Sequence, residues 1–131
     1  MVSTQKGVLL DTSVLINLLH GREQPVRLIR DLTVRGFILA TSSVNIAELY
    51  AGMRKGEEPA TEELISGLEC LTLTPELARR AGSITAERRR VGKTHSLVDM
   101  MIAATAIGCG YTLITDNRKD FEIPDLDLFP V

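Results

Sequence analysis

The stretch Val8-Leu9-Leu10-Asp11-Thr12-Ser13-Val14-Leu15-Ile16 most constrains what this chain can fold into. An apolar run of strand length ends in a carboxylate and two hydroxyls, and a second apolar run then begins at helical spacing. It reads as a buried strand over Lys6–Leu10 that delivers Asp11 to its C-terminal end. The helix that follows, Ser13–His20, is capped by Thr12 or Ser13 and stopped by Gly21. In open parallel sheets chemistry collects just past the carboxyl ends of the strands. Acids able to converge on Asp11 are therefore the residues of interest, and Glu48, Asp99 and the acid-rich turn from Asp116 to Asp120 are the candidates.

Further along, Pro25 opens a helix that runs to just before Gly36. A strand over Phe37–Thr41 leads into a helix capped by Ser42 or Ser43, with Ile46, Leu49, Tyr50 and Met53 on one stripe and Glu48 on the other side. Glu57 to Glu63 is polar and reads as surface, Leu64–Glu69 as helix and Cys70–Leu73 as a short strand. Thr74-Pro75-Glu76 places a cap, a first-turn proline and a first-turn acid in order and starts a long helix towards Arg90. Ser96 caps a helix over Leu97–Ile107. Tyr111–Thr115 is a strand, Asp116–Asp120 a turn, and Leu126–Phe129 a last edge strand. Strands alternating with helices at this spacing imply an α/β fold with a parallel sheet covered on both faces.

With 131 residues, 44% of them hydrophobic, the chain suits one domain over 1–131. No apolar run approaches the ~20 residues of a membrane span, and the N-terminus lacks a basic-then-apolar leader, so a cytoplasmic location is expected. Cys70 and Cys109 are far apart in apolar surroundings, which suits reduced core thiols, and neither pairs with His20 or His95 at a ligand spacing. A net charge of −2 argues against a nucleic-acid partner until the four acids are set aside, which turns −2 into +2.

Singly, Asp11, Glu48, Asp116 and Asp120 have ordinary explanations as turn and helix-surface acids. Asp99 does not. The helix around it is apolar or small on every side, and a carboxylate there costs several kcal/mol to desolvate unless it is compensated. It either closes a capping box with Ser96 or serves a metal or a reaction, and the two roles do not exclude each other. If Asp11, Glu48, Asp99 and Asp116 share one pocket, each close pair repels by about 4 kcal/mol at ~4 Å and an effective dielectric of ~20. A divalent cation would hold such acids together. All-oxygen donors select Mg²⁺ or Mn²⁺ over zinc, in a site suited to binding phosphate oxygens and activating water.

Four segments carry a family likeness: Leu10-Asp11-Thr12-Ser13-Val14-Leu15-Ile16, Ala47-Glu48-Leu49-Tyr50-Ala51-Gly52, Val98-Asp99-Met100-Met101-Ile102-Ala103-Ala104-Thr105-Ala106, and Leu113-Ile114-Thr115-Asp116-Asn117-Arg118-Lys119-Asp120-Phe121. In their order and spacing the chain resembles the PIN-domain nucleases, and within them the VapC-type toxins of bacterial and archaeal toxin–antitoxin pairs. The resemblance implies a three-layer α/β/α sandwich with a central, mostly parallel sheet of four to five strands. It also implies a Mg²⁺- or Mn²⁺-dependent endoribonuclease, usually a homodimer held inactive by a VapB-type antitoxin. On this likeness Asp11 and Asp99 hold the metal, Glu48 completes the cluster directly or through water, and Ser13 and Thr115 orient ligands or a phosphate. The family's last motif has Asp or Asn two residues after the threonine. Here that residue is Asn117, with Asp116 immediately before it: either Asn117 ligates through its neutral carbonyl or Asp116 swings in as the charged ligand, and Asp116 is taken as the fourth acid, with Asn117 and Asp120 as second candidates.

Cleavage by metal-activated water would leave a 5′-phosphate and a 3′-hydroxyl. The cations expected to contact RNA are Arg118 and Lys119, then Arg54 and Lys55. Arg88-Arg89-Arg90 with Lys93 is either an extension of that track or a solvated helix face. The apolar surplus of the first two helices fits either the core or a groove for an antitoxin segment. Two other classes compete. One is a catalytically idle domain of this fold acting as a scaffold. The other is a receiver-like phosphoacceptor, which would want an adjacent acid pair after the first strand and a lone Asp ending a central strand.

Overall fold

The computed structural model describes residues 6–130. Four parallel strands, β1 (Gly7–Leu10), β2 (Ile38–Ser42), β3 (Glu69–Leu71) and β4 (Thr112–Ile114), lie in the order β3-β2-β1-β4. Six helices join them: α1 (Thr12–Leu19), α2 (Glu23–Val34), α3 (Ser43–Ala51), α4 (Glu58–Ser66), α5 (Pro75–Arg90) and α6 (Leu97–Cys109). A 3₁₀ turn over Arg118–Phe121 follows β4. No helix among the described residues is long and apolar enough to cross a membrane.

The alternation of side chains along β1 assigns the two faces. Leu9 packs with Ala81 of α5, with Met100, Ile102, Ala103, Ala104 and Ala106 of α6, and with Phe121. Val8 and Leu10 pack on the other side with Val14 and Leu15 of α1, Leu32 of α2 and Leu49 of α3. This is the expected three-layer α/β/α sandwich. Both faces of β1 are covered, so the strand reads as a continuous apolar run. The chain steps outward from β1 to β2 to β3 and then returns to the far side of β1 for β4. The strand order therefore reverses between β1 and β4, and the crevice at that reversal lies past the ends of these two strands.

Several local expectations are corrected. The polar segment Glu57–Glu63 is largely exposed as expected, but the helix expected from Leu64 starts six residues earlier and takes most of it in. With Pro59 in its first turn, α4 begins at Glu58 and ends at Ser66, capped by Gly67, and Glu69 already belongs to β3, paired with Ala40. The final segment is not a strand: it forms one parallel bridge, Leu113 to Leu128, beside β4. The 116–120 turn winds into the 3₁₀ turn, held down by the buried ring of Phe121. Both cysteines are exposed rather than core thiols, because β3 is an edge strand and Cys109 is the last residue of α6. The helix α6 is buried only from Met100 onward; Leu97 and Val98 are 47% and 39% exposed.

One correction shapes the site. Neither Thr12 nor Ser13 caps α1. Asp11 occupies the cap position through its backbone, its carbonyl accepting from Val14 N and Leu15 N at 3.0 and 3.1 Å. The two hydroxyls are thereby left for other partners.

Candidate active site

Asp11 leaves the central strand β1 with its N–H donated to Ile114 O of β4 at 2.9 Å. Its side chain is 4% exposed, and both oxygens have donors. Thr115 Oγ1 donates to Oδ2 at 2.6 Å and Asn45 Nδ2 to Oδ1 at 3.3 Å. Burial pushes the Asp11 carboxyl above the usual aspartate range. The bonds from Thr115, the Thr12 backbone and Asn45 oppose that, and the charge of Asp116 adds to it. The ionised form is thus held in place at a cost that a nearby cation would relieve.

Glu48 stands on α3 within reach of α1, and Thr12 Oγ1 donates to its Oε1 at 2.7 Å. The helix is aimed by Ser42, one of the two expected caps, whose hydroxyl accepts from Asn45 N at 3.1 Å. Ser43 instead accepts from Leu73 N.

Asp99 opens α6, where Ser96 Oγ accepts its N–H at 3.0 Å, so the capping contact is real. Its carboxyl is also raised, first by burial, against a bond with Ser96, and then by the charges of Asp11, Asp120 and Glu48. These couplings bring acids from β1, α3, α6 and the 3₁₀ turn into one field.

Asp116 is exposed. Its N–H donates to Ser13 Oγ at 3.3 Å and its Oδ2 accepts from Asn17 Nδ2 at 2.8 Å. Asn117 is exposed as well, with its N–H on Thr115 Oγ1 at 3.0 Å. Asp116 thus bears on Asp11, whereas Asp120 bears on Asp99. Among the cations, Lys119, Arg54 and Lys55 are exposed. Arg118 is half-buried and donates to Phe129 O at 2.7 Å, and Arg88 donates to Glu122 O at 3.3 Å. Their guanidinium groups are tied to the backbone of the C-terminal segment.

The donor chemistry fits a hard dication: the side chains of Asp11, Glu48 and Asp116 and their partners Thr115, Thr12 and Ser13 bring carboxylate and hydroxyl oxygens. His20 lies against Glu57, and His95 Nδ1 is on Asp120 O. Among the described residues no three His, Cys, Asp or Glu side chains close on a single point as they stand.

Sequence reasoning missed Asn45, Asn17 and the outward role of Thr12. Ser42 and Asn45 stand at the cap-to-third-residue spacing that marks a helix start, which signalled Asn45. Asn17 is four residues after Ser13 and so shares its helix face.

Comparison with known proteins shows the family to which this fold belongs. A family model described as the PIN domain matches residues 8–125, and the chain belongs to the PIN-domain family. Among named relatives it is similar to ribonuclease VapC2 of Haemophilus influenzae, 32% identical over 119 residues, covering 87% of this chain and 89% of that protein. Its fold is similar to that in the DNA-bound VapBC structure from Salmonella typhimurium, with TM-score 0.82, 28% identity, and coverage of 95% of this chain and 98% of that one. It is also similar to a chain of a toxin–antitoxin complex from Klebsiella pneumoniae, with TM-score 0.75, 28% identity, and coverage of 95% and 99%.

Proposed function

We propose that this chain, with 1–131 as one PIN domain, is a VapC-type toxin: a Mg²⁺- or Mn²⁺-dependent endoribonuclease that hydrolyses RNA phosphodiester bonds. In this reading it acts as a homodimer and is restrained by a VapB-type antitoxin. The reading is carried by Asp11, an ionisable side chain buried at the strand-order reversal, ringed by donors and coupled through Asp99 to Glu48 and Asp120. The names of the relatives support it.

In this mechanism Asp11 and Asp99 would hold the cation. Glu48 would complete the acidic set, and Asp116 would take the fourth place, with Asp120 and Asn117 as the other candidates. A bound dication neutralises phosphate charge and lowers the pKa of water at the reacting phosphorus. Thr115 and Asn45 keep the Asp11 carboxylate turned to the crevice, and Ser13 fixes the backbone of Asp116. Lys119, with Arg54 and Lys55, would draw in the phosphate backbone, and Arg118, anchored at Phe129 O, borders the same track.

The test is cleavage of RNA by wild type, Asp11→Asn and Asp99→Asn, with Mg²⁺ or Mn²⁺ and with excess EDTA, with the product ends mapped. Cutting is expected only for wild type with metal, leaving 5′-phosphates. Undiminished cutting by both variants, or in EDTA, rejects the mechanism. A wild type that binds metal but cuts no RNA leaves the scaffold reading in its place.

A further inference from the structure

Asn45 is fully buried on α3, and its carboxamide is engaged at both ends. Ser42 Oγ lies 2.6 Å from Oδ1, while Nδ2 lies 3.0 Å from Thr12 Oγ1 and 3.3 Å from Asp11 Oδ1. Chemistry decides which way the amide faces. An ionised carboxylate offers only lone pairs, so the end against Asp11 must be the NH₂. The Ser42 hydroxyl, already accepting from Asn45 N at 3.1 Å, then has its proton for Oδ1. Thr12 Oγ1 accepts from the amide, and its own proton goes outward to Glu48 Oε1 at 2.7 Å. Every donor in this chain points the same way, from Ser42 through Asn45 and Thr12 to Glu48, with one branch onto Asp11.

We propose that Asn45 is a positioning residue that ties the presentation of Glu48 to that of Asp11, so that two carboxylates from separate elements act as one unit toward a divalent cation. The inference rests on the cation-dependent reading above and deepens it. Asn45 acts through Thr12 and Asp11. A purely structural role would appear as lost stability. This role appears as lost cation affinity that depends on Thr12.

The experiment uses the full chain as wild type, Asn45→Ala, Thr12→Val and the double variant. Mn²⁺ affinity is read by calorimetry, kcat and KM on RNA, and folding by circular dichroism. Asn45→Ala is expected to weaken Mn²⁺ binding and kcat by about 10–100-fold, with KM near wild type, as is usual when a partner of a ligand is removed. The double variant should be no worse than the poorer single one, because both cut the same chain. Wild-type Mn²⁺ affinity in Asn45→Ala, or losses that multiply in the double variant, overturns the proposal. Should Asn45→Ala fail to fold, Thr12→Val decides: reduced Mn²⁺ affinity sustains the coupling and unchanged affinity overturns it. A wild type that neither binds Mn²⁺ nor cuts RNA overturns the nuclease reading and this inference together, which distinguishes that failure from failure of the coupling alone.

Discussion

Asn17 on α1 donates its side-chain amide to Asp116 Oδ2 at 2.8 Å, joining residues 99 positions apart. The bond turns Asp116 toward α1 while Asp120, four residues on, bears on Asp99. Asn17→Ala should leave folding stability within about 0.5 kcal/mol, since the contact is exposed. If Asp116 works from where Asn17 holds it, RNA cleavage falls several-fold. Unchanged cleavage would pass the fourth place to Asp120, whose own Asp→Asn variant then becomes the sensitive one.

Asp11 and Asp99 are both raised above the ordinary aspartate value of 3.8 in the fold, chiefly by burial. An acid whose folded pKa exceeds its unfolded one binds more protons in the native state, so its contribution to stability is lost as pH rises from the unfolded value through the folded one. Metal-free Asp11→Asn should therefore melt higher than wild type near neutral pH, with the gap closing as the pH falls into the carboxyl range. Thermal melts in chelator across pH 4–8 check this, and a neutral variant that melts lower at pH 7 refutes it. Added Mg²⁺ should raise the wild-type Tm and leave that of Asp11→Asn unmoved.

Two neighbouring cations should separate cleanly. Lys119 is exposed, so Lys119→Ala is expected to lower the slope of log affinity for RNA against log salt by about 1 while leaving Tm unchanged. Arg118 gives one guanidinium N–H to Phe129 O at 2.7 Å, and Arg118→Ala should destabilise the fold by about 1–2 kcal/mol, read by urea unfolding. The opposite pattern, with Arg118 moving the salt slope and Lys119 the stability, would reverse the assignment.

Phe121 anchors the 3₁₀ turn against α6 with its ring fully buried. Phe121→Ala should cost about 3–5 kcal/mol in denaturant unfolding. At temperatures where it stays folded, it should also weaken cleavage, because Lys119 and Asp120 ride on the same turn.

The layered α/β order was legible because apolar runs of strand length alternate with amphipathic helices, and Thr74-Pro75-Glu76 and Ser96 mark their helix starts without ambiguity. The 57–66 region was misread because α4 has a mostly polar surface, and only Pro59 betrays its first turn. The strand order, with β4 returning beside β1, depends on packing between distant segments that no local pattern encodes. At the site the acids stood out in the motifs. The residues holding them did not: Asn45 and Asn17 are neutral, and their partners lie far away in sequence. Thr12 was assigned to capping, a task the Asp11 backbone performs without it.

β1 is enclosed by β2 and β4 and buried to zero exposure from Val8 to Leu10. Its amides, and the Asp11 N–H bonded to Ile114, are expected to be among the last to exchange with solvent, while the amides of exposed Asp116 and Asn117, bonded to side-chain hydroxyls, exchange early. The candidate centre is therefore assembled from halves of unequal permanence. A change at Asp11 is felt by the sheet as a whole, whereas a change at Asp116 stays at the rim.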